Sequence, residues 1–345
     1  MIIESENLVK NPLVSVVIAT YNQISFIEET VMSALNQQCS FPFEIVVADD
    51  GSNDGERKLL VKLQKQYPMQ LKLIFNDKNM RVTKNYVNAI HNARGKYIAT
   101  LDGDDVWIAT DKLEKQVAIL ELDNEVSIVY TGYQRYSYKT GKIISEVLNW
   151  DTPCLRTKGK ESASVFINGN YSYPLGSSAC FRKDIYIKGC GDYPQLIENN
   201  VGEGTILNIS MSMNGYFRFI NQPMVKYRVL PSSLCHFESG QELINFRFNY
   251  VELRLLAANI LSISPDGLVK ISSKQLFNEA ISLGEWELYC QRMRDLVDKH
   301  QYESLKNVYS KYCSRSSYLW GKPKVYANLL CSKIKLEIVK RLKRK

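Results

Sequence analysis

The strongest constraint on the fold is an alternation of strand-like and helix-like segments over the first 125 residues. The strand-like segments are short apolar runs rich in β-branched residues: VSVVIAT (14–20), EIVVADD (44–50), LKLIFN (71–76) and KYIATL (96–101). Between these runs, apolar residues recur at helical spacing. Near-continuous apolar strands that alternate with helices are typical of a mainly parallel sheet covered by helices on both faces. The sequence therefore predicts an α/β fold with a Rossmann-like central sheet.

The ends of the intervening helices are also predicted from local signals. The first helix, within residues 21–38, begins with a capping box formed by Ser25 and Glu28. The helix before the fourth strand ends at Gly95, which would serve as its C-cap. The helix after the acidic segment begins at Thr110, a residue type that caps helix N-termini.

Three of these strands end in polar segments. The sequence TYN occupies 20–22, DDGSND occupies 49–54 and DGDD occupies 102–105. Because open α/β sheets bind ligands at the carboxyl ends of their strands, we expect the three segments to converge on one crevice.

The DGDD segment places Asp102, Asp104 and Asp105 within four positions. Two carboxylates about 4 Å apart repel by roughly 4 kcal/mol at an effective dielectric constant near 20. Three interpretations fit the segment: a solvated acidic turn, a helix N-terminus capped by acids, or a hard-cation site that also binds a phosphate. Magnesium and manganese prefer oxygen ligands and keep positions open for substrate phosphates, so two carboxylates suffice. Gly103 between the acids would let the backbone approach a ligand without obstruction by a Cβ atom.

Other sites that bind metals or phosphates are excluded by the sequence. The segment from Asp50 resembles the start of a calcium-binding EF-hand loop, but Val61 stands where the loop needs a bidentate Glu. The chain has neither the P-loop pattern GxxxxGK[ST] nor the dinucleotide fingerprint GxGxxG. With three histidines and no CxxC pair, a zinc site is not expected. Phosphates would therefore be bound chiefly through the metal.

Composition bears on the compartment. The eight cysteines are scattered through a 345-residue chain, which fits reduced thiols in a reducing compartment. No stretch approaches the roughly 18 to 20 apolar residues that span a bilayer, and the first residues lack the features of a secretory signal. We expect a globular cytoplasmic protein, either free or peripheral on the inner face of the cytoplasmic membrane.

After about residue 125 the alternation weakens into mixed, partly antiparallel structure. A hairpin is predicted at YSYKTGKIIS (136–145), and a helix is predicted within 198–215. From about residue 239 the apolar spacing becomes helical, and we place a domain boundary near residue 238.

Several of these motifs together resemble the family 2 glycosyltransferases, which have the GT-A fold. The motifs are LVSVVIATYNQ, EIVVADDGSNDG, NMRVTKNYVNAIHNARGKYIATLDGDDVW and YRVLPSS. The resemblance covers about residues 12–235 and implies a GT-A domain at 1–238. Its nucleotide-sugar half would span about 12–125 and its acceptor half about 126–238, followed by a helical C-terminal region at 239–345.

The resemblance implies an inverting transfer of a hexosyl or N-acetylhexosaminyl group. The donor would be a nucleotide-diphosphate sugar, most often a UDP-sugar, and the acceptor a saccharide or lipid-linked saccharide in surface polysaccharide synthesis. Manganese or magnesium would be bound by Asp104, with Asp102 closer to the ribose, and Asp50 would hydrogen-bond the base. The residues implied in donor binding are Thr20, Tyr21, Asn22, Asp49, Asp50, Lys84, Asp102, Gly103 and Asp104.

At the position of the catalytic base, this sequence differs from the family pattern. The family frequently has Glu-Asp before the helix written here GEGTILNI, and its second acid commonly serves as the base, but this chain has Gly204 there. Glu203 is our first candidate for the base, followed by Glu198 and Asp192. The alternative for Glu203 is an acid at a helix start, where the helix dipole favours it.

Other positions affect how far the roles of family residues can be assigned to this chain. Leu230 stands where YRVLPSS often has a histidine, and His236 is either its substitute or a surface residue. Arg81 replaces a common glycine and would alter the donor loop. Trp107 either walls the donor or acceptor pocket or packs in the core.

The C-terminal segment CSKIKLEIVKRLKRK (331–345) is basic, with Ile334, Ile338 and Leu342 at i, i+4 and i+8. It is either an interfacial helix on an anionic membrane or a solvated terminal helix. Nothing indicates nucleic-acid binding. Gly204 and Leu230 keep open an alternative function, a catalytically impaired protein that binds nucleotide sugars or acts as a scaffold.

Overall fold

The computed structural model describes residues 1–169, 174–198, 201–230 and 239–314. The described residues divide into two compact units. The first unit holds residues 1–166, 174–198 and 201–230, and the second holds residues 167–169 and 239–314.

The described part of the first unit contains one ten-stranded sheet. Its strands are β1 (Ile2–Ile3), β2 (Val14–Thr20), β3 (Phe43–Asp49), β4 (Leu71–Phe75), β5 (Tyr97–Asp102), β6 (Val106–Trp107), β7 (Val126–Ser137), β8 (Lys142–Val147), β9 (Cys180–Arg182) and β10 (Tyr216–Val229). They are ordered β1-β4-β3-β2-β5-β9-β7-β10-β6, with β8 paired to β7.

Twelve α-helices lie within the described ranges. They are α1 (Ile27–Leu35), α2 (Glu56–Gln66), α3 (Val82–Asn92), α4 (Lys112–Leu122), α5 (Lys160–Asn168), α6 (Lys183–Asp192), α7 (Pro194–Glu198), α8 (Glu203–Asn214), α9 (Gly240–Leu261), α10 (Asp266–Leu283), α11 (Trp286–His300) and α12 (Glu303–Tyr312). Short 3-10 turns cover Pro153–Leu155 and Gly176–Ser178.

The four predicted strands form the parallel part of the sheet. Strands β4, β3, β2 and β5 are adjacent and parallel, and their apolar residues are buried on both faces. The prediction of a mainly parallel sheet covered by helices is confirmed, because the near-continuous apolar runs do lie at the centre of the fold.

The predicted helix ends are wrong in detail. Helix α1 begins after Phe26, which makes no side-chain capping bond, so Ser25 and Glu28 do not form a capping box. Its first predicted turns are instead a loop that hydrogen-bonds to the segment after β3. Helix α3 ends at Asn92 with Ala93 as its C-cap, before Gly95, and helix α4 begins after Asp111 rather than Thr110. At Gly95 a Cβ atom would lie 2.4 Å from the Ser15 backbone nitrogen, so close packing on β2 explains this glycine.

The remaining strands make the sheet mixed. Strand β9 is antiparallel to β5 and β7, whereas β7 and β10 are parallel. The predicted hairpin is confirmed as the antiparallel pair β7 and β8. Two strands predicted at YFRFIN and MVKYRV are one strand, β10, with irregular pairing around Pro223 because proline cannot donate to the ladder.

The described part of the second unit is helical, as predicted. Helices α9 to α12 enclose an apolar core that includes Phe248, Phe277 and Tyr289. The basic C-terminal segment 331–345 lies outside the described residues. Among the helices that the structure describes, none combines the length and the apolarity that a membrane crossing requires.

Candidate active site

The polar segments after β2, β3 and β5 lie side by side at the carboxyl edge of the sheet. Thr20 pairs with Asp49 across β2 and β3, and Ala19 pairs with Asp102 across β2 and β5. The predicted convergence of the TYN, DDGSND and DGDD segments is therefore observed. All three belong to the first compact unit.

Asp50 is buried and oriented by surrounding amides. Its Oδ1 accepts hydrogen bonds from Asn76 Nδ2 at 3.0 Å and from the Met80 backbone nitrogen at 2.8 Å. Asn76 is in turn held by Asn85 and Asn88. Within the described chain, Oδ2 of Asp50 accepts no hydrogen bond, so one oxygen of a fixed carboxylate is left for a ligand.

Asp49 is fully buried and forms an ion pair with Arg57. Its Oδ2 lies 2.5 Å from Arg57 Nε, and the Ser52 backbone nitrogen donates to Oδ1 at 3.2 Å. The guanidinium of Arg57 also lies 5.0 Å from the centre of the Phe75 ring. This geometry fixes the turn after β3, and any role of Asp49 towards a ligand stays a prediction.

Glu56, which sequence reasoning missed, joins the loops after β2 and β3. Its Oε1 accepts from Thr20 Oγ1 at 2.5 Å, and its Oε2 accepts from the Gln23 backbone nitrogen at 2.7 Å and from Ser52 Oγ at 3.4 Å. Burial raises the pKa of Glu56 to about 7, although these hydrogen bonds oppose the shift. An acid at the first position of a helix resembles an ordinary helix-start residue, so the sequence carries no signal for this role.

The other predicted donor residues differ in exposure. Thr20 is buried against Glu56, whereas Tyr21 is 46% exposed. Asn22 has a φ of 53°, its backbone nitrogen donates to Ser52 Oγ at 2.8 Å, and its Oδ1 accepts from the Asn53 backbone nitrogen at 2.9 Å. Asparagine tolerates this left-handed conformation, which places the two loops together. Lys84 is exposed on α3.

The structure shows a packing role for the glycine at position 103. A Cβ atom there would lie 2.5 Å from Thr20 Oγ1, so the space is needed by Thr20 itself. Its backbone nitrogen donates to the Ala19 carbonyl oxygen at 3.0 Å. Gly103 therefore lets the acidic turn pack on β2, and its contact with a ligand stays a prediction.

Asp102 is held by two side chains. Tyr86 Oη donates to its Oδ1 at 2.6 Å, and Ser177 Oγ lies 3.0 Å from its Oδ2. The Asp102 backbone nitrogen also donates to Ser177 Oγ, at 3.1 Å. Burial raises the pKa of Asp102, and these hydrogen bonds oppose the shift.

Asp105 is fully buried and has an internal role. Its Oδ1 accepts from the Arg228 backbone nitrogen at 3.0 Å, and its Oδ2 lies 2.5 Å from Ser177 Oγ. Burial and the charges of Asp102 and Asp104 raise the pKa of Asp105 well above its usual value. Ser177 Oγ links the carboxylates of Asp102 and Asp105. Asp105 thus anchors the turn from inside, whereas Asp102 and Asp104 are only half-buried.

Asp104 faces opposing electrostatic influences. Burial and the charge of Asp102 raise its pKa to about 6, while Arg228 and the side chain of Gln23 favour its ionised form. Arg228 Nη1 donates to the Asp104 carbonyl oxygen at 2.6 Å, and its other terminal nitrogen pairs with Glu29. The protein therefore supplies only partial compensation for this carboxylate.

Glu203 lies at the start of α8 and is close to Asp102. Burial and the charge of Asp102 raise its pKa to about 7. A Cβ atom on Gly176, in the turn that carries Ser177, would lie 3.6 Å from Glu203 Oε1. Among the described residues no other side chain donates a hydrogen bond to Glu203, so its carboxylate is available to a ligand.

The two reserve candidates for the base are less suited by position. Asp192 forms an exposed ion pair with Lys188 at 2.6 Å, and Glu198 is exposed at the end of α7. Gly204, where the family has its second acid, has only Asn208 Nδ2 near its notional Cβ atom, at 3.8 Å. The backbone there has room for a side chain, so the glycine is not required by packing.

The remaining predicted positions are placed as follows. Trp107 is buried, its Nε1 donates to the Ser177 carbonyl oxygen at 2.9 Å, and Lys112 Nζ lies 4.1 Å from its ring centre. Trp107 therefore packs in the core behind the acidic turn, and its other role is not observed. Leu230 is buried, and His236 lies outside the described residues. Arg81 has φ 68° and ψ 164°, a conformation that is essentially restricted to glycine.

Comparison with known families decides the class of the chain. The family model described as Glycosyl transferase family 2 matches residues 15–189, about half of the chain. The chain belongs to glycosyl transferase family 2. The predicted family is confirmed, and the match includes the segments that carry Thr20, Asp50, Asp102 and Asp104.

Curated relatives share this region. An uncharacterized protein of Mycobacterium tuberculosis, Rv1520, is 33% identical over 138 residues, which cover 39% of this chain and 40% of that protein. The putative teichuronic acid biosynthesis glycosyltransferase TuaG of Bacillus subtilis is 37% identical over 123 residues, covering 35% of this chain and 47% of TuaG. The Escherichia coli enzyme WfgD, named a UDP-Glc:α-D-GlcNAc-diphosphoundecaprenol β-1,3-glucosyltransferase, is 27% identical over 177 residues, covering 51% and 68%. The chain therefore matches less than half the length of Rv1520 and TuaG.

A solved structure supports the fold. Staphylococcus aureus TarS 1–349, determined in complex with UDP-GlcNAc, aligns with a TM-score of 0.59 at 14% identity, covering 92% of each chain. At this identity the likeness concerns the fold, and it confirms the predicted GT-A architecture.

The residues fit the divalent cation that the family resemblance implies. Among the described residues no cluster of three or more histidine, cysteine or acidic side chains is arranged to hold a metal ion. Asp102 and Asp104 are instead two partly compensated carboxylates, each with a raised pKa. Hard cations that act with a substrate phosphate need only one or two carboxylates, so this donor set suits magnesium or manganese.

Proposed function

We propose that this chain is an inverting glycosyltransferase that moves a sugar from a UDP-sugar to a saccharide or lipid-linked saccharide. The observation that carries the proposal is the arrangement at the carboxyl edge of the sheet. There, one ionisable pair (Asp102 and Asp104) lies beside an available acid (Glu203), next to the fixed carboxylate of Asp50. We also propose that residues 12–125 bind the donor and residues 126–238 the acceptor.

Nucleoside recognition is assigned to the loops after β2 and β3. Asp50 presents Oδ2 from a rigid amide network, and a fixed carboxylate acceptor suits the N3–H of uracil. Thr20, Tyr21 and Asn22 would line the same pocket, with Asp49 holding the turn and Lys84 near the nucleotide. The names of TarS in complex with UDP-GlcNAc and of WfgD, which uses UDP-Glc, support uridine nucleotides as the donor class.

The acidic turn is assigned to the diphosphate. Asp104 would bind manganese or magnesium directly, with Asp102 nearer the ribose. When bound, the cation supplies positive charge that stabilises the departing diphosphate. Ser177, Tyr86 and Gly103 fix the turn so that its carboxylates stay in place.

Glu203 is assigned the role of general base. Its carboxylate takes the proton from the acceptor hydroxyl as that oxygen forms a bond to the anomeric carbon. The bond from this carbon to the diphosphate oxygen breaks with its electron pair on the diphosphate, on the opposite face of the sugar. A pKa of about 7 suits this task, because a base is most effective when its pKa lies near the working pH.

The acceptor and the location are proposals drawn from the relatives. WfgD is named for a diphosphoundecaprenol-linked acceptor and TuaG for teichuronic acid synthesis. A hexosyl- or N-acetylhexosaminyltransferase of surface polysaccharide synthesis at the inner face of the cytoplasmic membrane fits both. The basic segment 331–345 would assist that location.

The proposal is tested by incubating the full chain with UDP-glucose, UDP-galactose and their N-acetyl forms. Each donor is combined with manganese, magnesium or a chelator, and with a panel of lipid-linked and free saccharides. We expect UDP release and a glycosylated product only with a divalent cation, with an inverted anomeric configuration. A retained configuration or full activity in chelator contradicts the proposal.

The same experiment addresses the alternative of an impaired binding or scaffold protein. Gly204 and Leu230 replace residues that the family often uses, which favours that alternative. A protein of that kind would bind UDP-sugars without releasing UDP in any combination. Turnover that disappears in Glu203→Gln contradicts it, because the chain would then have a working base.

A further inference from the structure

The hairpin formed by β7 and β8 (residues 133–148) exposes apolar side chains that no core explains. Ile143 is 54% exposed, Ile144 53%, Tyr138 53% and Leu148 39%. Five of the six residues of β8 are exposed along the strand, so neither face of β8 packs on the rest of the protein. Clustered exposed apolar groups of this kind mark interaction surfaces, whereas single ones need no explanation.

The pairing of the hairpin accounts for its two adjacent isoleucines. Tyr136 pairs with Ile143 and Arg135 with Ser145, so Ile144 is an extra residue in β8. A bulge of this kind interrupts the alternation of faces and hinders pairing with another strand. Both isoleucines are consequently exposed on an edge that is poorly suited to extend the sheet with a partner's strand.

The hairpin also carries exposed basic side chains. Arg135, Lys139 and Lys142 are exposed on the hairpin, and its one acid, Glu146, accepts a hydrogen bond from Gln134 at 2.7 Å. Lysine is depleted in protein interfaces, but at a bilayer surface its ammonium can reach the headgroups while its stem covers apolar surface. Tyrosine is also enriched at the membrane interface. Isoleucine, tyrosine and lysine on one hairpin therefore match an anionic bilayer better than a protein surface.

The hairpin is close to the acidic turn. The rings of Tyr138 and Phe26 meet edge to face at 5.1 Å between centres. The guanidinium of Arg228 lies 5.2 Å from the Phe26 ring centre, and its Nη1 donates to the Asp104 carbonyl oxygen at 2.6 Å. A surface that docks through the hairpin would lie beside the acidic turn and not at the far edge of the sheet.

We propose that the β7–β8 hairpin docks the protein on an anionic phospholipid bilayer. Ile143, Ile144 and Tyr138 enter the interfacial region, and Lys139 and Lys142 pair with lipid headgroups. The proposed surface consists of hairpin residues alone and does not include the basic segment 331–345, and it does not depend on the identity of the donor or acceptor.

The test uses the full chain with vesicles of phosphatidylcholine alone or of equal parts phosphatidylcholine and phosphatidylglycerol. Flotation measures binding, and hydrogen-exchange mass spectrometry reports on peptides within 133–148. We expect binding to the anionic vesicles, with slower exchange across the hairpin. Because each basic residue near an anionic surface contributes about 1 kcal/mol, Lys139→Glu/Lys142→Glu should lower partitioning by about tenfold or more. Ile143→Ser/Ile144→Ser should lower it about tenfold through lost apolar contact.

The control variant is Leu122→Ser, because Leu122 is 88% exposed at the end of α4 and outside the hairpin. It should bind vesicles as the unmodified chain does. Unchanged exchange across 133–148 with bound vesicles overturns the proposal, because binding would then occur elsewhere, including through 331–345. Equal partitioning of the hairpin variants and Leu122→Ser also overturns it. Slower exchange that appears without vesicles and grows with protein concentration identifies a second copy as the occupant instead.

Discussion

Two groups of acids lie at the same edge of the same sheet, and the protein stabilises them in opposite ways. In the loops after β2 and β3, Asp49, Asp50 and Glu56 accept hydrogen bonds from guanidinium, amide and hydroxyl groups. At the turn after β5, the charge of Asp102 repels both Asp104 and Glu203. In the first group every acid accepts hydrogen bonds from the protein, and only Oδ2 of Asp50 is left for a ligand. In the second group, Asp104 and Glu203 retain a repulsion from Asp102 that a bound cation would relieve.

This contrast separates the tasks of the two groups. Rigid, satisfied acids provide a fixed shape for recognition, since their geometry does not change when a ligand binds. Acids that repel one another without a nearby cation favour the binding of positive charge, because a bound cation removes the repulsion. We therefore expect loss of the Asp50 carboxylate to lower the stability of the protein and loss of the Asp104 charge to raise it, while activity falls in both variants.

The largest expected effect concerns Glu203, the proposed general base. Glu203→Gln removes the proton acceptor and should lower kcat by roughly two to four orders of magnitude. Donor affinity, measured by calorimetry with UDP, should change little. Glu198→Gln is the matched control, and it should keep full activity because Glu198 is exposed at the end of α7. Equal losses in the two variants would remove Glu203 from the mechanism.

The next effect concerns stability in the first group. Asp50→Ala leaves Asn76 Nδ2 and the Met80 backbone nitrogen without their acceptor. Since an unsatisfied buried donor costs about 1–3 kcal/mol, the free energy of unfolding should fall by about 2–4 kcal/mol. Urea unfolding measures the change, and Asp77→Ala, an exposed acid in the neighbouring loop, should stay within about 0.5 kcal/mol. A stable Asp50→Ala would mean that the amide network does not depend on this carboxylate.

In the second group, loss of a charge is expected to raise the free energy of unfolding. The pKa values of Asp104 and Glu203 in the folded protein are raised to about 6 and about 7. Between about pH 4 and these values the folded state binds more protons than the unfolded state, so stability falls as the pH rises through this window. Glu56, with a pKa of about 7, acts in the same direction.

The metal-free Tm should accordingly decrease from about pH 5 to about pH 8. Asp104→Asn should flatten that decrease and raise the free energy of unfolding by about 1–2 kcal/mol at about pH 8, measured in chelator. Asp111→Asn is the control, since Asp111 forms an exposed pair with Lys115 and its loss should be slightly destabilising. A variant at Asp104 that is less stable than the unmodified chain would contradict the repulsion.

The smallest effect concerns the backbone next to the first group. Arg81 has a φ of 68° that favours glycine, and relief of this strain should exceed the added freedom of the unfolded chain. Arg81→Gly should raise the free energy of unfolding by about 1 kcal/mol. Lys78→Gly, in the same exposed loop but without a positive φ, should instead lower it by about 0.5–1 kcal/mol. Destabilisation of both variants alike would show that residue 81 is not strained.

The sequence predicts the parallel strands and the site edge well because both follow from local patterns. Apolar runs mark β2 to β5, and the polar residues after them must meet once the strands are parallel. The predicted helix ends are wrong where tertiary contacts override the local capping signals. The Ser25 and Glu28 pattern is one case, because Glu56 and Asp54 hold the preceding loop out of the helix.

The anchors of the site could not be predicted because they depend on long-range contacts. Ser177 reaches Asp102 across 75 positions of the chain, and Arg228 reaches Asp104 across 124. Contacts at such separations along the chain are not indicated by any local sequence pattern, although Arg228 lies in the YRVLPSS motif. The packing of Gly103 on Thr20 is a contact of this kind as well, and the predicted approach of Gly103 to a ligand stays a prediction.

The central claim is that the acidic turn binds a cation together with the donor diphosphate. Its most direct test is calorimetric titration of UDP, with and without manganese, into the unmodified chain and into Asp104→Asn. We predict that manganese strengthens UDP binding by the unmodified chain on the order of 100-fold. In Asp104→Asn, we predict that UDP binds weakly and equally with and without manganese. The same manganese dependence in both proteins would contradict the claim.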